Sequence, residues 1–349
     1  MNFKNKISKL HYQKDITPNF LTRLLDFGVI FYGLGSLLKN LVYDKGIIEP
    51  EKVNAYIISV GNLTTGGVGK TPVVCEIAKH FAAKYEAQYG LETYPRVAII
   101  SRGYRGKLSN KNINIISDGI NLYHKADMAG DEPFWLAVNC NMCAVITCKD
   151  RVKAAEYAIE KMGIETIILD DGFQHRKIHR DLDIVLMDSE KGFGNEKLLP
   201  AGPLREGIEA FNRVNKLVVV SKNVEHSRAE KLAKIMEKKL KLKTQVCYTE
   251  PDYVYNIKTG EHLEKGATAT AMCAIGQPEQ FYKFLNEYNI TATVDFDDHH
   301  QYCENDLDGI DGNIITTEKD AVKLSLLQRD NIFALKLKTR VNVEELLNG

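Results

Sequence analysis

The sequence predicts an α/β fold in which a mostly parallel sheet carries helices on both faces, followed by a smaller second α/β domain. Short apolar runs alternate with segments of helical periodicity, a pattern typical of strand–helix–strand units. A glycine-rich stretch, VGNLTTGGVGKTP at 60–72, follows the first apolar run and precedes a helical segment. Together these observations indicate a sheet of the P-loop NTPase type.

Six buried strands are predicted from the apolar runs. They lie at 55–60, 96–100, 143–148, 166–170, 183–188 and 216–222. Helical periodicity at 71–85 and 149–162 supplies connections between several of them. A charged helix at 227–242 indicates a boundary, so that the first domain occupies 1–228 and a linker with the smaller domain occupies 229–349. The smaller domain is predicted from segments at 268–276, 290–296 and 313–323.

Composition and charge argue against several classes of function. Lysine and arginine together number 46, as do aspartate and glutamate, so no global field attracts nucleic acid. Seven cysteines are scattered, with a lone C-x-x-C pair at Cys140 and Cys143, which favours reduced structural thiols over a metal or redox site. The absence of a disulfide pattern fits a reducing cytoplasm. We predict neither a nucleic-acid partner nor an obligate protein partner.

The N-terminal region predicts a helix at about 18–43, for which two interpretations stay open. Arg23, Asp26 and Lys39 interrupt its apolar run, and no small-residue cleavage site of a signal peptide follows. The uninterrupted apolar part, 27–38, is about half of the roughly 20 residues that a membrane span needs. The segment is therefore either an amphipathic helix in a membrane surface or a helix that packs in the core.

The glycine-rich stretch has most features of a phosphate-binding loop. The usual pattern is G-x-x-x-x-G-K-[ST]; here Thr64 stands at the first glycine. We expect Lys70 to reach the β- and γ-phosphates and the Thr71 hydroxyl to ligate Mg²⁺. The predicted nucleotide-binding residues are Thr64, Thr65, Gly66, Gly67, Val68, Gly69, Lys70 and Thr71.

Other features narrow the type of nucleotide-binding protein. DDGF at 170–173 is not the D-x-x-G of GTPases, and TEKD at 317–320 is not N-K-x-D, so we expect ATP. Thr65 stands where partition-type ATPases carry a lysine that acts across a dimer, which argues against a dimeric switch. An ATPase switch that regulates a partner and a soluble kinase for a small metabolite remain as alternatives.

Acidic and basic segments supply candidates for the chemistry. Asp170 and Asp171 end an apolar strand, where a Mg²⁺-holding carboxylate is expected, although Asp-Gly is also a common turn. GDEP at 130–133, considered alone, is a helix start with acids in its first turn. DHH at 298–300 is, by itself, more often structural than functional. Three cationic or Pro/Gly-rich segments are either solvated loops or one basic pocket for an anionic substrate: SRGYRG (101–106), QHRKIHRDLD (174–183) and LLPAGPLREG (198–207).

With these segments assembled, the chain resembles the tetraacyldisaccharide 4'-kinases of lipid A biosynthesis over nearly its whole length. The resemblance rests on VGNLTTGGVGKTP, SRGYRG, GDEP, DDGFQHRKIHRDLDIVLMD, LLPAGPLRE, DDHH and TTEKDAVK, in that order. It implies that ATP, with Mg²⁺, phosphorylates the 4'-hydroxyl of a tetraacylated glucosamine disaccharide 1-phosphate to give the 1,4'-bisphosphate. It also implies a peripheral protein on the cytoplasmic face of the inner membrane, which favours the membrane interpretation of the N-terminal helix.

The resemblance also implies a role for individual residues. The catalytic aspartate falls on Asp131, paired with His299; the adjacent His300 is the alternative partner. We expect Lys70, with Mg²⁺, to neutralise the charge that builds on the transferred phosphoryl group. The residues implied at the metal are Thr71, Asp170, Asp171 and Glu132. The residues implied near the substrate are Arg102, Arg205 and Glu206.

Overall fold

The described part of the chain forms one twelve-stranded sheet, and Asn62, Asp170 and Asp188 stand at the carboxyl ends of three of its parallel strands. The structure is a computed structural model and describes residues 7, 10–13, 18–90, 95–103, 106–222, 226–276, 278–297, 300–325 and 327–348. The strands are β1 Tyr56–Asn62, β2 Val97–Ser101, β3 Asn114–Ser117, β4 Cys143–Thr147, β5 Thr166–Asp170, β6 Leu182–Asp188, β7 Lys216–Ser221, β8 Thr244–Asn256, β9 Thr268–Cys273, β10 Asn289–Asp295, β11 Asn313–Thr317 and β12 Ile332–Arg340. The α-helices include α1 Phe20–Asp44, α2 Lys70–Tyr89, α3 Ala126–Ala129, α4 Asp131–Asn139, α5 Arg151–Met162, α6 Ser227–Leu240, α7 Pro278–Lys283, α8 Glu318–Leu324 and α9 Val343–Leu347.

The sheet order is β10-β9-β11-β12-β8-β7-β6-β1-β5-β2-β4-β3. Its pairings are parallel except for β3 with β4 and β8 with β12, so the predicted mostly parallel sheet is confirmed. Strand β8 pairs with β7 on one side and β12 on the other, which makes the sheet continuous across the predicted boundary. Strand β1 lies between β5 and β6, and the chain crosses over on both sides of it. Open α/β sheets bind their ligands at such a switch point.

Helices cover both faces of the first part of the sheet because successive strand residues point to opposite faces. On β1, Ile58 and Val60 pack against one core with Val73 and Val74 of α2. Ile57, which precedes Ile58 in the strand, packs on the opposite face in a separate core that includes Val152 of α5. The predicted buried strands are thus buried on both faces, which is why they appear as continuous apolar runs.

Helix α1 does not bury its apolar face in the core. The exposed fractions of its large side chains include 85% for Phe20, 64% for Phe31 and 56% for Leu37. Among the described residues, α1 is also the one helix long and apolar enough to cross a membrane. The core-packing interpretation of this segment is therefore wrong, because most of its large apolar side chains lie exposed on the surface.

The opposite side of α1 contacts the loops at the edge of the sheet. Gly28 and Gly33 allow close approach, since a Cβ at either position would lie 2.8 Å from Pro200 or 3.2 Å from Leu198. The Tyr32 hydroxyl donates to the carbonyl of Arg205 at 2.9 Å. The helix is thus fixed to the LLPAGPLREG segment by its small and polar residues, while its apolar residues face outward.

A glycine in β1 allows the strand to touch the turn that follows β5. A Cβ on Gly61 would lie 2.5 Å from Phe173 Cβ and 2.9 Å from the Phe173 backbone nitrogen. Because Phe173 is fully buried, neither group can move away without disturbing the core. This contact holds the strand that feeds the glycine-rich loop against the turn that carries Asp171.

Replacing Gly61 by alanine is therefore expected to destabilise the fold. Overpacking of this kind lowers the free energy of unfolding by about 1–3 kcal/mol. Gly35→Ala is the matched control, because a Cβ there has no neighbour within 4 Å. Thermal unfolding of both variants tests the contact; equal midpoints for the two would contradict it.

Candidate active site

The glycine-rich loop connects β1 to α2 at the switch point of the sheet. Gly66 and Gly69 have φ angles of 104° and 96°, in the left-handed region that favours glycine. Gly69 precedes the first residue of α2, and no side chain caps that helix. The first N–H groups of α2 are thus left for an external acceptor, and the helix dipole adds positive charge there. This is the geometry of a phosphate site.

The structure explains why threonine can replace the first glycine of the loop. Thr64 forms an antiparallel bridge with Leu204, and the Thr65 amide donates to the Pro203 carbonyl at 2.8 Å. Thr64 has no left-handed φ, so its backbone needs no glycine. The Pro/Gly-rich segment at 198–207 therefore holds the start of the loop in position. The same contacts bring Arg205, at the polar end of that segment, close to the loop.

Lys70 lies among the side chains that end β1 and β5. Its ammonium donates to Asn62 Oδ1 at 2.9 Å and lies 3.4 Å from Asp171 Oδ1. Arg205 also binds Asp171, with 2.9 Å from one guanidinium nitrogen to each carboxylate oxygen. Burial alone would raise the pKa of Asp171, but the charges of Lys70 and Arg205 bring it below its ordinary value. Asp171 is thus an ionised carboxylate between two cations.

Asp170 has a different environment from its neighbour. It is almost completely buried, and its Oδ1 has no hydrogen-bond partner among the described residues. Burial, with a further contribution from the Glu132 charge, raises the pKa of Asp170 to about 7. A buried carboxylate oxygen of this kind is suited to a cation.

The Asp170 Oδ1 atom shows whether the residues at this site suit Mg²⁺. No group of three or more His, Cys, Asp or Glu side chains forms a metal cluster within the described ranges. Mg²⁺ at a nucleotide site needs only one or two protein ligands, because phosphates and water supply the rest. Asp170 at the end of β5, with Thr71 in the first turn of α2, fits that requirement, and Glu132 adds negative charge nearby.

Asp131 and Glu132 begin helix α4, as the GDEP pattern indicates. Asp131 Oδ2 lies 3.2 Å from the ammonium of Lys323, which comes from α8 in the last part of the chain. His299, the predicted partner of Asp131, lies outside the described residues. His300 Nε2 lies 2.9 Å from Asp306 Oδ2, and its ring stacks on Phe296.

The three residues predicted near the substrate differ in their surroundings. Arg102 is exposed just beyond β2, at the same edge of the sheet as the loop. Arg205 is bonded to Asp171 as described. Glu206 is buried and accepts hydrogen bonds of 2.7 Å from both Asn40 and Arg213. Glu206 therefore fastens α1 to the loop segment that carries Arg205.

Two residues at the carboxyl ends of the strands, Asn62 and Lys222, were not predicted from the sequence. Asn62 is buried, holds Lys70 and donates to the Thr64 carbonyl. Lys222 follows β7 and reaches both the Gly67 carbonyl and Asp188 Oδ2, the latter at 3.1 Å. A lysine at the carboxyl end of a buried strand is a signal that could have identified Lys222. Asn62 could not be identified in this way, because asparagine is common where a strand passes into a loop.

Comparison with known proteins agrees with this geometry. A model of the family described as tetraacyldisaccharide-1-P 4'-kinase matches residues 21–348. The chain belongs to the tetraacyldisaccharide-1-P 4'-kinase family. Proteins named tetraacyldisaccharide 4'-kinase include one from Halothermothrix orenii, 36% identical over 86% of this chain and 82% of that protein. Another, from Francisella tularensis subsp. tularensis, is 35% identical over 97% of this chain and 100% of its own length.

A solved structure from the same family has a similar fold. LpxK from Aquifex aeolicus, crystallised in complex with ATP, aligns with a TM-score of 0.73 and 31% identity. The alignment covers 94% of this chain and 97% of the crystallised chain. The predicted P-loop type of fold is thus confirmed for this member of the 4'-kinase family.

The raised pKa of Asp170 predicts a pH dependence of stability in this family member. The folded-state pKa of about 7 exceeds the ordinary 3.8, so the folded protein retains a proton that the unfolded chain releases. Stability from this group is complete below about pH 4 and is lost as the pH rises to about 7. Asp170→Asn removes this loss, so its free energy of unfolding relative to wild type should increase over that interval.

The measurement is denaturant unfolding at several pH values, without nucleotide or Mg²⁺. Asp330→Asn, at a side chain that is 92% exposed, controls for the chemical change. A difference between Asp170→Asn and wild type that stays constant with pH would show that folding does not raise the pKa of Asp170.

Proposed function

We propose that this protein transfers the γ-phosphate of ATP to the 4'-hydroxyl of a tetraacylated glucosamine disaccharide 1-phosphate, giving the 1,4'-bisphosphate of lipid A biosynthesis. One observation carries the proposal: the uncapped start of α2, with Lys70 beside it, faces Asp170 and Asp171 at the end of β5. This combination suits phosphoryl transfer, in which positioning and charge stabilisation dominate. Family membership supplies the identity of the acceptor.

The residues of the loop bind the phosphates of ATP. Backbone N–H groups at 66–70 and the start of α2 cradle the phosphate oxygens, and Lys70 contacts the γ-phosphate. Thr71 and Asp170 would hold Mg²⁺, with Asp171 and Glu132 completing the acidic surroundings. When bound, Mg²⁺ neutralises charge on the phosphates.

Asp131 accepts the proton of the sugar hydroxyl, and His299 orients it or relays the proton. A general base of this kind must lie within hydrogen-bond distance of the hydroxyl. The first turn of α4 holds Asp131 next to Glu132, whose charge raises the pKa of Asp170, so base and metal ligands lie at one site. Arg102 and Arg205 offer positive charge to the anionic acceptor.

Helix α1 brings the enzyme to the lipid surface where the acylated acceptor resides. Its exposed apolar residues enter the inner membrane from the cytoplasmic side, and its other side stays bonded to the segment that carries Arg205 and Glu206. A lipid-bound substrate would therefore reach the site along α1.

We also propose that the units at 1–228 and 229–349 close on one another when both substrates are bound.

The test is transfer of labelled γ-phosphate from ATP to the acylated disaccharide 1-phosphate in mixed micelles. Lys70→Ala should abolish measurable transfer, because it removes the cation that neutralises the transferred group. Lys231→Ala, in the exposed charged helix α6, is the matched control and should retain wild-type activity. Acceptor-independent ATP hydrolysis without transfer would contradict the proposal and favour an ATPase switch.

A further inference from the structure

The TTEKDAVK segment, which the reaction outlined above does not use, supplies a buried cation to the predicted catalytic base. We propose that Lys323 is a positioning residue that holds the Asp131 carboxylate in place for proton transfer from the sugar hydroxyl. The inference rests on the proposed function. It is carried by the contacts of α8 and α4, which join the last part of the chain to the first.

The start of α8 is fixed by its own sequence. Thr317 caps the helix, accepting from the Asp320 amide at 3.1 Å while its hydroxyl donates to Asp320 Oδ2 at 2.8 Å. Asp320 is fully buried and also accepts from the Ala274 amide, which follows β9, at 3.0 Å. Two strand ends therefore hold the first turn of α8. Lys323 lies one turn further on, so its position is set by these contacts.

Among the described residues, the Lys323 ammonium contacts two polar groups. Its ammonium lies 3.2 Å from Asp131 Oδ2 and donates to the His300 carbonyl at 3.2 Å. The side chains of Lys323 and Asp131 are only 6% and 13% exposed. Solvent-exposed ion pairs contribute little, but a pair this buried fixes the geometry of both groups. Lys323 thus connects the base to the segment adjoining His299.

A second lysine from the last part of the chain holds the other end of α4. Lys336 on β12 donates to Asn139 Oδ1 at 2.9 Å and to Glu318 Oε1 at 2.6 Å. Helix α4 is therefore bound at its first residue by Lys323 and at its last by Lys336. Both contacts attach the helix, but only the Lys323 contact reaches the predicted base. The two lysines are a matched pair for separating attachment from positioning.

Loss of the Lys323 charge should change the chemical step more than nucleotide binding. Lys323→Met leaves the Asp131 carboxylate buried without this cation, so the carboxylate is no longer held in its present position. A displacement of about 1 Å at a reacting group can lower a rate by roughly 100-fold. We expect kcat to fall about 10- to 100-fold, with the KM for ATP within about 3-fold of wild type, since the loop at Lys70 is untouched.

The experiment measures kcat, the KM for ATP and the thermal midpoint of the full chain in the micelle transfer assay. The variants are Lys323→Met, Lys323→Arg and the control Lys336→Met. We expect Lys323→Arg to restore part of kcat because it keeps the charge, and Lys336→Met to lower the midpoint while kcat stays within about 3-fold of wild type. Lys323→Gln, which keeps a donor for the His300 carbonyl, replaces Lys323→Met if that variant does not fold.

The outcomes separate the inference from the function on which it rests. An active wild-type protein with an unaltered kcat in Lys323→Met, or with equal losses of kcat in Lys323→Met and Lys336→Met, would overturn the positioning role alone. An inactive wild-type protein would overturn the proposed function and the inference with it. A selective loss of kcat in Lys323→Met, partly restored by arginine, supports the inference.

Discussion

The ion triad of Lys70, Asp171 and Arg205 is the interaction on which the candidate site depends. It joins the start of α2, the end of β5 and the Pro/Gly-rich segment, which are far apart in the sequence. Asp171 has a φ of 53°, a conformation that a non-glycine residue keeps only when tertiary contacts fix it. Two cations share one carboxylate, so positive charge remains for a phosphate anion.

Two further parts of the protein are connected to this triad: the exposed apolar side of α1 and the acidic start of α4. The Pro/Gly-rich segment that supplies Arg205 also supplies Glu206, whose hydrogen bond to Asn40 holds α1. A helix with an exposed apolar side is thereby connected to the phosphate site by a few bonds. On the other side, α4 brings Glu132 towards Asp170, and the last part of the chain holds α4 in place. The proposed membrane contact, nucleotide site and catalytic base are thus parts of one connected structure.

The buried strands could be predicted from the sequence, but the contacts between the elements could not. Strands such as β5 are buried on both faces, so their apolar runs predicted them within a residue or two. Strands β8 and β12 were missed because they are half-exposed, and β8 contains Pro251, which is unusual inside a strand. The opposite pKa shifts of Asp170 and Asp171 could not be predicted either, because they arise from partners such as Arg205 that only the tertiary structure brings close.

The structure of the chain with Mg²⁺ and a non-hydrolysable ATP analogue tests this account most directly. The distance to measure joins Lys70 Nζ and Asp171 Oδ1, which is 3.4 Å in the present structure. We predict that Lys70 leaves Asp171 for the phosphate oxygens at the start of α2, while Arg205 stays bonded to Asp171. Phosphates bound away from α2, with Lys70 still paired to Asp171, would contradict the account.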